Sequence, residues 1–135
     1  MTRPVAILAL WLGLIGPALA APCTPADTPV VVRGTIVRTM FYGPPDFGTE
    51  PRHDERGFYP VLRTERPLRM CQVPGAEFPV PKTPVQRMQM IFFKGFDRSL
   101  YGRHVEVRAK LFGAQTAFHH TPVMLEVMAL RKLNN

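Results

Sequence analysis

Two adjacent histidines, His119 and His120, are the residues of this chain whose types most readily suggest chemistry. Imidazole nitrogens are common ligands of zinc and copper, and a bent loop could direct both side chains toward one ion. On a strand, neighbouring side chains point to opposite faces, so both reach one metal only where the backbone bends. A third ligand would have to come from His53 or His104. Zinc or copper binding through the histidine pair is therefore kept as the alternative function.

The carboxylates between residues 46 and 55 are the second group that could act chemically. Asp54 and Glu55 could serve a hydrolase as general acid and base if burial separated their pKa values. The segment is polar and contains Gly48 and Pro51, which is typical of a solvated loop. The sequence contains no serine-nucleophile motif and no phosphate-binding glycine loop. We therefore predict that the protein is not an enzyme.

Aromatic residues beside basic ones raise the question of nucleic-acid binding, because bases stack on such side chains. The residues concerned are Phe58, Tyr59, Phe92 and Phe93, with Arg63 and Lys94. An exported protein rarely meets nucleic acid, so we expect no such partner and predict that these aromatics build the core.

The N-terminal residues have the three parts of a secretory signal peptide. Arg3 supplies the positive charge, Val5 to Ile15 form an apolar run too short to span a bilayer, and Ala18 to Ala20 offer a small-x-small cleavage pattern. We predict a signal peptide at residues 1–20 and a single mature domain at residues 21–135. The expected location is the periplasm or the exterior, with no membrane span after cleavage.

Cys23 and Cys71 are the two cysteines of the chain, and both follow the predicted cleavage site. In a small exported domain an even cysteine count indicates a disulfide, and two cysteines allow one pairing. Closing the loop between them would contribute about 4 kcal/mol in the chain-entropy model. The formal charge of +7 falls to +6 once Arg3 is removed, which favours anionic partners or serves solubility alone.

Alternating apolar and polar residues predict strands along the mature chain. The predicted strands run from Val30 to Val37, Phe58 to Thr64, Arg87 to Phe93, His104 to Phe112 and Pro122 to Leu130. Gly34 predicts a bulge or a tight bend in the first strand, and residues 97–101 predict one short helical turn. We expect an all-β fold with at most one short helix, a small five-stranded OB-like Greek-key barrel.

Four motifs follow one another along the mature chain: Phe41-Tyr42-Gly43-Pro44-Pro45, then Arg66-Pro67 before Cys71, then Gly102-Arg103-His104-Val105-Glu106-Val107, and a closing stretch LF-x-A-x-T-x-x-HHT-x-V-x-L that begins at Leu111. In this order and spacing they resemble a family of small secreted bacterial domains of unknown function. The resemblance implies a domain that stands alone, supports the Cys23–Cys71 pairing, and implies no activity. Gly113, Gln115 and Phe118 occupy positions where relatives often carry histidine, so a histidine-rich metal site would be depleted here.

The leading hypothesis is a non-enzymatic binding or accessory domain of the bacterial cell envelope, whose ligand is a protein or an envelope component. The candidate surface combines two loops that contain Tyr42, Pro44, Pro45 and Phe47, and Thr116, His119, His120 and Thr121. Prolines would hold the first loop in shape and lower the ordering cost of binding. If the surface binds a ligand, Phe47 and both histidines should be accessible. If the residues only close the barrel, they should be buried or cap strand ends.

Overall fold

A computed structural model describes residues 22–134 of the chain. The predicted signal peptide at residues 1–20 lies outside the described residues. Among residues 22–134, no helix has the length and apolar character needed to cross a bilayer.

Five strands form a closed barrel in the order β1-β2-β3-β5-β4. The strands are β1 (Val30–Tyr42), β2 (Arg56–Leu68), β3 (Val85–Ile91), β4 (His104–Gly113) and β5 (Val123–Lys132), with one 3-10 turn at Arg98–Leu100 before β4. Strands β3 and β5 pair in parallel, and the other neighbours pair antiparallel. The expected all-β, small OB-like barrel is confirmed.

Strand β4 alternates as its sequence predicts, because Val105, Val107, Ala109 and Leu111 are fully buried in the barrel core. Strand β5 departs from its predicted pattern. Val123 and Leu125 enter the core, but Ala129 is exposed and Leu130 packs inward instead. The pairing shifts where Arg108 faces Ala129 and Ala109 faces Val127, which leaves Met128 as the extra residue of a bulge. A bulge reverses the alternation that follows it.

The first strand is longer than predicted and forms the wall of the barrel beside both β2 and β4. Gly34 pairs with Thr64 on one side and Val105 on the other, without a shift of register. A Cβ atom at Gly34 would lie 2.3 Å from the carbonyl oxygen of Arg63. Gly34 is therefore a point of close backbone approach rather than a bulge.

A disulfide joins Cys23 to Cys71 across a sequence separation of 48. Beside it, the Thr24 N–H donates to the Arg69 carbonyl at 2.7 Å, and the Cys71 N–H donates to the Thr24 carbonyl at 2.9 Å. The predicted pairing is present, and it fastens the segment before β1 to the chain that follows β2.

The expectation that the aromatic residues build the core is wrong in part. Among the methionines, Met88, Met90 and Met124 are buried, and Met128 is 45% exposed in the β5 bulge. Phe92 packs against the core, whereas Phe58 and Phe93 are exposed. The barrel is small enough that aliphatic residues and methionines fill it, which leaves these two phenylalanines at the surface.

Candidate functional site

The β1–β2 loop, residues 43–55, is organised around the carboxylate of Asp54. One oxygen accepts the Asp46 N–H at 2.8 Å, and the other accepts the Gly48 N–H at 2.6 Å. Asp54 is buried, so the expectation of a fully solvated loop is wrong at this position. Both of its oxygens already serve backbone donors, and Glu55 beside it is exposed. The Asp54 carboxylate therefore holds the shape of the loop, and the exposed Glu55 carboxylate does not share a pocket with it.

The remaining predicted residues lie at the end of β1 and in the first half of this loop. Pro44 and Pro45 are joined by a cis peptide bond, and the Pro44 carbonyl accepts the Glu55 N–H at 2.9 Å. Tyr42 is half-buried, and a Cβ on Gly48 would lie 3.4 Å from its ring. Phe47 has a φ of 50° and is also half-buried. The loop thus folds back over the end of β1.

The β4–β5 loop, residues 114–122, folds across the outer face of the barrel. The side chain of Gln89 on β3 holds it there. The Gln89 Oε1 atom accepts the His120 N–H at 2.8 Å, and its Nε2 atom donates to the Phe118 carbonyl at 3.3 Å. Gln89 is only 3% exposed although it points away from the core that Met88 and Met90 fill. Burial of a polar residue between two core residues is explained by this covering loop.

Thr121 completes the attachment of the β4–β5 loop. Its hydroxyl accepts the Gln89 N–H at 2.8 Å and donates to the Val123 carbonyl at 2.7 Å. Val61 and Met124, the neighbours of Gln89 on β2 and β5, are fully buried beneath the same loop. Thr121 is itself buried and acts as a structural anchor.

His120 packs between two aromatic rings. Its imidazole is stacked on Phe41 with a centroid distance of 4.6 Å and an angle of 4°, and it lies 4.8 Å from the Tyr59 ring. The Nε2 atom is buried and has no hydrogen-bond partner among the described residues. Burial, and secondly the neighbouring His119, lower the pKa of His120. The structure therefore places the His120 imidazole in an aromatic stack that disfavours its charged form.

His119 points a different way from His120 and shapes the loop itself. Its Nδ1 atom accepts the Gln115 N–H at 3.0 Å, its own N–H donates to the Thr116 carbonyl at 3.0 Å, and its ring meets Phe112 edge-on at 5.4 Å. His119 is half-buried and Thr116 is exposed.

The two loops meet at their tips. The rings of Phe47 and Phe118 are in edge-on contact, with centroids 5.3 Å apart and an angle of 85°. Phe118 remains 54% exposed. We call this feature the loop surface: residues 43–55 and 114–122, with Phe118 at its centre. The structure brings the two predicted groups together, but it uses Thr121 and the His120 ring for packing and leaves Phe118 outermost.

No third metal ligand within residues 22–134 approaches the histidine pair. His104 pairs with Thr35 on β1, whereas His120 stacks on Phe41, six residues further along that strand, which is about 20 Å at about 3.3 Å per residue. His104 is hydrogen-bonded to Glu65 instead. Across residues 22–134 there is no cluster of three histidine, cysteine or acidic side chains that could hold a metal ion.

Sequence reasoning missed Gln89, Asp54 and Phe118 as the residues that build this surface. Gln89 carried a usable signal, because a polar residue between Met88 and Met90 on a short strand must find buried partners. Asp54 gave no local signal, since its two donors lie 8 and 6 residues earlier in the chain.

Comparison with known proteins gives a match to a protein family over part of the chain. A family described as a domain of unknown function (DUF4431) matches residues 88–131, which run from β3 through the β4–β5 loop to the end of β5. No curated protein and no solved structure matches the chain. The matched region contains the closing motif and not the proline loop. The expected similarity to a domain family of unknown function is therefore confirmed over residues 88–131.

Proposed function

We propose that this protein is an exported, non-enzymatic binding domain of the cell envelope, and that its loop surface contacts a protein or another envelope component. One observation carries the proposal: an exposed phenylalanine, Phe118, stands on two loops whose backbones are already fixed. Large exposed aromatic side chains are favoured anchors in binding interfaces.

The fixed backbone supports binding because ordering costs are met before a ligand arrives. Asp54 holds one loop through two backbone bonds, and Gln89 holds the other through bonds to residues 118 and 120. Phe47 then packs against Phe118 from the side. A partner would contact the Phe118 ring in a fixed position. Pro45 and Thr116, which belong to the same two loops, are also exposed.

Export is supported by two independent features. The first is the signal-peptide pattern of residues 1–20, and the second is the Cys23–Cys71 disulfide, a bond that persists in oxidising compartments. Cell fractionation with N-terminal sequencing of the purified protein tests this part. Recovery of the full chain from the cytoplasm, with Met1 or Thr2 at its N-terminus, would contradict it.

Site-specific photo-crosslinking in intact cells tests the surface. A benzophenone analogue of phenylalanine is placed at position 118, and a matched control places it at Val31, which is 64% exposed on β1. We expect a discrete adduct from position 118 whose mass-spectrometric identity is an envelope protein or glycan. An absence of adducts, or the same adducts from position 31, would overturn the loop surface as the binding site.

A further inference from the structure

A wide groove lies beside the loop surface, between the β2–β3 connection (residues 69–84) and the ends of β3 and β4. Its volume is about 740 Å³, within the range of about 300–1,000 Å³ that is usual for ligand sites. Val80, Ile91 and Phe112 contribute apolar lining. Phe78 and Phe93 stand at the surface of the groove and are 53% and 77% exposed.

Covalent and polar bonds hold this groove open. The Cys23–Cys71 disulfide fixes the base of the β2–β3 connection, and the Gln72 Nε2 atom donates to the Val80 carbonyl at 3.0 Å. Val80 in turn packs on β4, where a Cβ on Gly113 would lie 2.9 Å from its Cγ1 atom. The connection contains four prolines, which lower its freedom further.

The charge of the groove is opposite to that of the protein. Three carboxylates line it, on Asp27, Glu77 and Glu126, and no lysine, arginine or histidine does. The whole chain has 17 basic and 10 acidic residues. None of the three carboxylates forms an ion pair with any other residue in the range 22–134, although Lys110 lies opposite Glu126 in the register of β4 and β5. The groove therefore combines apolar surface with unpaired negative charge.

We infer that this acidic groove binds a peptide segment of a partner protein in which lysine or arginine alternates with large apolar residues. The apolar side chains would cover Phe78, Phe93 and Ile91, and the cationic groups would face the three carboxylates. A small amine would leave most of the apolar lining exposed, and a lipid chain would leave the carboxylates without partners. A basic, apolar peptide satisfies both features of the groove at once.

The inference is tested by measuring the fluorescence anisotropy of a labelled hexapeptide as it binds the mature protein with its disulfide formed. The probe alternates leucine with lysine. Two control peptides replace every lysine with glutamate, or every leucine with serine. We expect saturable binding of the first peptide alone, and weaker binding as salt increases.

Variants separate the groove from general charge attraction. The double variant Glu77→Gln/Glu126→Gln should lower the affinity for the leucine–lysine peptide about tenfold, because two ion pairs with the peptide are lost. The matched control Glu50→Gln/Glu55→Gln removes the same charge from the β1–β2 loop and should leave affinity within about twofold. A third variant, Phe118→Ala, should not change the affinity for the leucine–lysine peptide. Failure of the loop-surface proposal can therefore be distinguished from failure of the groove proposal.

Three results would overturn the inference. One is no binding of the leucine–lysine peptide, and another is equal loss of affinity in both double variants. The third is undiminished binding of the serine–lysine peptide, which would indicate charge attraction without use of the apolar lining. Thermal unfolding of each variant establishes that the barrel is intact.

Discussion

The loop surface and the acidic groove are neighbours on one barrel, yet they use their polar groups in opposite ways. At the loop surface, the side chains of Asp54 and Thr121, and of Gln89 beneath it, form hydrogen bonds with backbone groups. The ring of Phe118 remains exposed. In the groove, the carboxylates of Glu77 and Glu126 have no ion-pair partner within residues 22–134. Internal hydrogen bonds therefore fix the shape of the loop surface, whereas the acidic groove leaves its carboxylates without ion pairs among residues 22–134.

The largest effect should come from the disulfide, which belongs to the groove side of this comparison. Cys23→Ser/Cys71→Ser should lower the free energy of unfolding by about 4 kcal/mol, because the unfolded chain regains the freedom of a long loop. Urea unfolding measures the loss. Hydrogen exchange should show faster exchange at the Thr24 and Cys71 amides, with the His120 amide still protected. A loss below about 1 kcal/mol would contradict the view that the bond fixes the groove.

The next largest effect should come from Asp54 on the loop side. Asp54→Ala leaves the N–H groups of Asp46 and Gly48 without their acceptor, and should lower the free energy of unfolding by about 2–3 kcal/mol. Asp46→Ala is the matched control. Because Asp46 is exposed, this substitution should lower the free energy of unfolding by less than about 0.5 kcal/mol. Thermal melts of the two variants provide the measurement. Equal stability of both would show that the loop does not depend on this carboxylate.

Gln89→Leu tests the attachment of the second loop. The substitution removes the acceptor of the His120 N–H and the donor to the Phe118 carbonyl, so we expect a loss of about 2 kcal/mol. The control Gln86→Leu changes a nearby exposed glutamine whose amide makes one long contact of 3.4 Å to the Thr64 carbonyl. Chemical denaturation compares the two, and an equal loss in both would remove Gln89 from its role as the anchor.

The smallest expected effect is a pH dependence that arises from His120. Because burial lowers its pKa, the unfolded chain binds a proton more readily than the folded one. The free energy of unfolding therefore has its full value with respect to His120 above about pH 6.5, the usual histidine pKa. It decreases as the pH falls below that value, because the unfolded chain takes up the proton first. His120→Phe keeps the stacked ring and removes the proton site, so its stability should fall less between pH 7.5 and pH 5 than that of the wild type. An identical fall in both would contradict this assignment.

The barrel was predictable and the loop packing was not, for a physical reason. The alternation of Val105, Val107 and Leu111 follows from a strand with one buried face, a pattern that depends on local sequence alone. The switch at Met128 depends on how β5 pairs with β4, and the burial of Gln89 depends on the β4–β5 loop that covers it. The groove could not be predicted from the sequence. Asp27, Glu77 and Glu126 are far apart in the chain, and no local pattern indicates that they line one groove.

The comparison between the two regions is tested most directly by two-dimensional ¹H–¹⁵N NMR during titration with the leucine–lysine hexapeptide. We predict that resonances of the groove, such as the amides of Ala76 and Gly113, shift with saturation while those of Asp54 and His120 stay in place. Shifts centred on Asp54 and His120 instead, or no shifts in either region, would contradict the division of the barrel into a fixed loop surface and an open, acidic groove.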